Sequence, residues 1–102
     1  MTYEEARAQY KSAVKNWLSK NNYCVTMHVE DIMVSTLMHR DKIIPYPAGS
    51  FITAILTNDL KSAINFADSD CQTNLVNIYK AYHNIDTWHI ARTFKQQETQ
   101  HV

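Results

Sequence analysis

The chain has 102 residues, with ten basic residues set against ten acidic ones, two prolines, two cysteines and a single glycine. Balanced charge excludes a global field that would draw the protein onto nucleic acid or an anionic membrane, so any such contact must be local. The length suits one domain around one core, and no stretch approaches the roughly 20 apolar residues that cross a bilayer. Cys24 and Cys71 are too few and too far apart for a disulfide framework, and the start has no succession that reads as a signal peptide, so a reduced intracellular protein is expected.

The first element is "TYEEARAQYKSAVKNWLSK". Thr2 and Glu5 have the spacing of a capping box, Glu4 and Glu5 complement the helix dipole, and Ala6, Tyr10, Ala13, Val14 and Trp17 recur at helical steps. An amphipathic helix ending near Asn21 and Asn22 follows. In "YCVTMHVEDIMVSTLMHRD" the residues Tyr23, Val25, Met27 and Val29 alternate as a strand would, but Val29, Ile32, Met33, Thr36 and Leu37 keep a helical period behind Thr26. A lone strand would leave its backbone groups unpaired, which decides for a helix from about Thr26 to Met38.

Pro45 and Pro47 then hold the chain extended through "IIPYP", Gly49 turns it, and Ser50 stands where a cap belongs. From there Ile52, Ile55, Leu56, Leu60, Ala63, Ile64 and Ala67 form one stripe, predicting a central helix at about 50–67 against which the others pack. Ser69 and Gln72 suggest a second capping box, opening a helix that continues through Leu75, Ile78, Tyr79 and Tyr82 to about His83. Asp86 or Thr87 offers a cap for a last helix through Trp88, Ala91 and Phe94. The expected fold is all-α: a compact bundle of about five short helices over residues 1–95, with a frayed polar tail at 96–102.

The run "PAGSFITAILTNDLKSAINFAD", followed by a helix with Tyr82 and Asn84 and then by Trp88, resembles a family of small phage and prophage proteins. The resemblance covers roughly the second half of the chain. It rests on Gly49, Ser50, Phe51, Asn58, Asp59, Leu60, Ala67 and Asp68 in order and spacing, while Thr87, Trp88, His89 and Ile90 stand where the family has Cys-Trp-Gly-Ser. It implies a viral accessory protein with a helical fold and carries no assigned activity.

Catalytic chemistry has little to stand on. Cys24 and His28 are one helical turn apart, a spacing for a metal pair or a nucleophile and base, and His83 and His89 lie close in sequence, but no four-ligand pattern accompanies them. Asn58, Asp59, Asp68 and Asp70 could make an acidic edge, and capping explains them as well. Neither an enzyme, a cofactor nor a metal is expected. Aromatic residues suit binding, and Tyr46 stands out because it lies between two prolines, outside any helix. The candidate site combines Arg40, Lys42, Tyr46, Gly49 and Ser50 at the start of the central helix, where free N–H groups, a hydroxyl and two cations would receive an anion; the alternative is that Ser50 caps and the cations are solvated. Arg40, Lys42 and Lys61 are too few for strong nucleic-acid binding. The expected function is a non-enzymatic phage protein that binds a host protein in the infected bacterial cytoplasm. Sequestration of an anionic small molecule such as a nucleotide, and a virion or self-assembling role, are the alternatives, and homo-oligomerisation is left open.

Overall fold

The second helix is the one that the others surround. The computed structural model describes residues 1–99, with side chains through residue 96, and places α2 at Met27–Arg40 behind Thr26, whose hydroxyl accepts the Val29 N–H at 3.2 Å. Val29, Met33, Val34, Thr36, Leu37 and Met38 are all buried. A helix buried over that much of its circumference needs neighbours on several sides, and α2 packs against α1 (Tyr3–Lys20), α3 (Ser50–Leu56), α5 (Ser69–Thr73) and α6 (Leu75–Asn84). The helices α4 (Leu60–Phe66) and α7 (Trp88–Thr99) complete an all-α bundle, and no strand occurs among the described residues. Nor is any helix among them long and apolar enough to cross a membrane.

The first helix forms as its sequence predicts. Thr2 and Glu5 close a reciprocal capping box, and Ala6, Tyr10, Val14 and Leu18, each four residues from the last, are buried. Residues 23–25 are not a strand, and the chain enters α2 at Met27.

The predicted central helix at 50–67 is the main correction. It breaks after Leu56: Asn58 takes a left-handed φ of 56°, and Asp59 caps a new helix, accepting the Ser62 N–H at 3.1 Å and the Ser62 hydroxyl at 2.7 Å. The break turns the apolar stripe. Ala54, Ile55 and Ala63 remain buried, but Leu60, Ile64 and Phe66 are 54%, 46% and 58% exposed. The segment is a peripheral two-helix lobe. The Ser69–Gln72 box is also displaced: Asp68 caps α5 by accepting the Cys71 N–H at 2.9 Å, and the Gln72 amide reaches back to the Ala67 carbonyl. The helix expected to run from Ser69 to His83 divides at Asn74 into α5 and α6. The tail expected at 96–102 is helical through Thr99, and its last three residues lie outside the described residues.

One polar hub ties distant elements together. The Asp41 carboxylate accepts the Tyr10 hydroxyl at 2.7 Å, the Arg40 Nε–H at 2.9 Å and the Thr87 hydroxyl. The Arg40 guanidinium also donates to the Thr87 hydroxyl oxygen at 2.7 Å and to the carbonyls of Tyr82 and Ile85 at 2.6 and 3.2 Å. It thereby closes the C-terminal end of α6, where unpaired carbonyls collect. Burial raises the Asp41 pKa, but the hydrogen bonds from Arg40, Thr87 and Tyr10 outweigh it and hold the carboxyl below its ordinary range. Burial, and then the bond to Asp41, push the Tyr10 hydroxyl far upward.

Three helices end alike without glycine. After α1, α2 and α3 the residues Asn22, Lys42 and Asn58 take φ of 57°, 60° and 56°. The next N–H then bonds back to the carbonyl five residues earlier: Tyr23 to Leu18, Ile43 to Met38 and Asp59 to Ala54. This is the Schellman closure, which usually employs glycine. Asparagine tolerates the left-handed region; lysine is strained there.

Two outcomes follow for stability. Asp41→Asn should cost about 2–3 kcal/mol at neutral pH, because it leaves Arg40, Tyr10 and Thr87 poorly matched. Since the folded carboxyl titrates below its unfolded value, its contribution is present above the ordinary carboxylate range and is lost as pH falls through the folded value. Urea melts should therefore show the gap between wild type and variant narrowing as pH falls below the ordinary carboxylate range; a constant gap would refute the role of the charge. Lys42→Gly should add about 0.5–1 kcal/mol by relieving the left-handed strain at an exposed residue, seen as a higher urea midpoint at unchanged m-value.

Candidate functional site

The residues singled out from sequence do not form one constellation. Arg40 is occupied within the hub, and Lys42 occupies the left-handed position that ends α2. Tyr46 is 63% exposed, its ring edge-on to His39 at 6.2 Å. Gly49, not Ser50, is the N-cap of α3, and no side chain caps that helix. Among the described residues no hydrogen bond joins Arg40 or Lys42 to Gly49 or Ser50. Ser50 instead lines a cleft of about 280 Å³ within the α3–α4 lobe, where the only charged lining residue is Asp59. The serine expected to lend its hydroxyl to an anion site thus shares its cleft with a carboxylate.

A different surface is assembled where the lobe meets α6. Leu60 of α4 and Leu75, Val76 and Tyr79 of α6 line a groove of about 410 Å³, rimmed by Asn58, Lys80, His83 and Asn84. Its apolar wall is open to solvent, with Val76 68% exposed. The Tyr79 hydroxyl oxygen is buried yet has no hydrogen-bond partner; burial, and then the Asp59 charge, raise its pKa, so it remains a neutral donor. Lys80 at the rim leans on Tyr23, its Nζ 3.3 Å from the hydroxyl.

Next to this groove, a more polar cleft of about 420 Å³ lies between the end of α6 and α7, lined by Arg40, Asp41, Asp86, Trp88 and Lys95 among others. His83 and Asn84 line both, so the two depressions adjoin across the last turn of α6. Trp88 is 56% exposed, and the Arg92 guanidinium stacks over its ring at 5.0 Å. The hub that borders the cleft is poorly suited to proton transfer near neutrality, since Asp41 is held ionised and Tyr10 held neutral.

The ligating side chains regroup as well. His28 does not join Cys24 in a cluster; its Nε2 lies 2.6 Å from Asp68 Oδ2, and the donor atoms of His28, Asp68 and Cys71 all lie within 4.8 Å of one another. Cys24 is exposed and Cys71 buried. Burial, and then its hydrogen bond to Asp68, push the Cys71 thiol up to about 12. With the carboxylate between imidazole and thiol, the set lacks the order of a nucleophile activated by a base.

The groove was missed in the sequence because Leu60 counts as core when the stripe at 50–67 is taken as one helix. The signal that could have found it is local: Asn58 followed by Asp59, with Ser62 three residues on, reads as a left-handed stop and a new cap. In comparisons with protein-family models, with curated proteins and with solved structures, nothing matches this chain.

Proposed function

We propose that the chain is a non-enzymatic accessory protein of a bacteriophage that binds a protein of the infected bacterial host, in the host cytoplasm, by receiving an apolar helix in the groove between α4 and α6. The observation that carries this reading is the gathering in one groove of exposed aliphatic side chains, Leu60 and Val76, with Leu75 and the half-buried Tyr79. Surface apolar groups gathered around a concavity are what a partner side chain fills. The polar groups with perturbed pKa values support it from the other side, because those of the hub are consumed in holding helices together. The viral and host assignments rest on the resemblance carried by Gly49 to Asp68.

The test compares wild type with Val76→Glu and Val76→Ser as baits in lysate of infected bacteria, quantified by mass spectrometry. Val76 is too exposed for either change to move stability by more than about 0.5 kcal/mol, which thermal melts verify. The expected result is a protein retained by wild type, reduced by the serine variant and lost with glutamate, that cross-links to α4 or α6 once purified. Identical captures by all three baits would overturn the groove, and a wild-type homodimer that Val76→Glu dissociates would assign it to a second copy instead.

A further inference from the structure

We propose that His28, Asp68 and Cys71 bind a divalent transition-metal ion of zinc's ligand preference, which pins the start of α2 to the start of α5. The three donors come from two elements 40 residues apart in sequence for the His28–Asp68 pair, and their ligand atoms already converge within 4.8 Å. Ligand atoms held at about 2.0–2.3 Å in a tetrahedron around zinc stand roughly 3.5 Å apart, so His28 and Asp68 need only small adjustments. Their side chains are 49% and 54% exposed and have the freedom to make them.

The donor chemistry selects the ion. A nitrogen, a carboxylate oxygen and a sulfur together suit zinc and its neighbours, whereas calcium and magnesium require oxygen ligands throughout. The carboxylate is already oriented, because Asp68 Oδ1 is held by the Cys71 N–H at 2.9 Å while Oδ2 faces His28. Such support around a ligand is what keeps it in place for a metal. In the metal-free chain the cluster is held by protons: His28 on one side of the carboxylate and the Cys71 thiol on the other. Binding exchanges the thiol proton for the metal and releases it to solvent, and the proton on His28 Nε2 passes by way of water to Nδ1, freeing Nε2 to ligate. Three protein donors leave a fourth position on the exposed side, for water or a partner's side chain. The site stands apart from the α4–α6 groove and does not depend on it.

The full chain, reduced, is titrated with Zn²⁺ and with Co²⁺. The expected results are one ion per chain, a thiolate-to-cobalt charge-transfer absorption, and a thermal midpoint that rises with Zn²⁺ concentration. Cys71→Ala should abolish the absorption, and Cys24→Ser should retain it. Because Cys71 is buried, two surface variants make the decisive comparison: His28→Ala, and Asp68→Asn, whose amide can still cap α5. Each should weaken Zn²⁺ binding by at least about tenfold while circular dichroism stays unchanged. Binding that survives both, an absorption that follows Cys24 rather than Cys71, or no shift of the midpoint would overturn the site and leave His28–Asp68 an exposed ion pair beside a buried thiol.

Discussion

A single carboxylate sets the terms for the rest of the molecule. Asp41 stands at the end of the most buried helix and receives hydrogen bonds from α1, from its neighbour Arg40 and from the residue that precedes α7. Arg40, fixed by that carboxylate, spends its remaining donors on the Thr87 hydroxyl and on the open end of α6. A half-buried charge is costly unless every lone pair is met, and here one acid and one base meet each other's needs and those of two helix ends. The burial of Tyr10 and Thr87, at 0% and 2% exposure, leans on this pairing, since a buried hydroxyl left unpaired costs its lost hydration.

What could be read in advance follows from the range of the forces. Caps act over three residues, and the starts of α1 at Thr2 and α2 at Thr26 are both written locally. Hydrophobic period acts over a helix, and it misleads at residues 50–67, where apolar residues keep step across a break that Asn58 and Asp59 impose. Two caps compete at 68 and 69, and Asp68 wins where it also meets His28, a contact 40 residues away in sequence. The candidate site failed to assemble for the same reason. Arg40 and Lys42 are near neighbours, yet Arg40 is turned into the hub by groups from elsewhere in the chain, and the left-handed Lys42 ends the helix. No local pattern announces that His28 will meet Cys71 rather than Cys24.

Two separate polar clusters occupy the two ends of α2. Its C-terminal end carries the hub, where charged groups are satisfied within the chain. Its N-terminal end carries the His28 cluster, where His28 and the Cys71 thiol both turn to the Asp68 carboxylate at a partly exposed position. The unpaired apolar surface lies elsewhere, on the lobe and on α6, where the chain left aliphatic side chains outside the core that the sequence pattern would have placed within it. Recognition of another protein is consistent with that division, because the groups that hold the fold together are not the ones exposed for contact.

The break at Asn58 also determines which parts of the molecule open together. Peeling the end of α6 away would strand the Arg40 donors that meet the Tyr82 and Ile85 carbonyls, so that wall is tied to the hub. The α3–α4 lobe is different: its contacts with the body run mainly through α3 against α2, and much of the surface of α4 is already wet. Segments with few buried contacts open at a lower free energy than the core. The groove has one wall on each of these two parts, a firm one on α6 and a yielding one on α4. Its width is therefore an adjustable quantity, set by a local equilibrium that can shift while the hub stays closed.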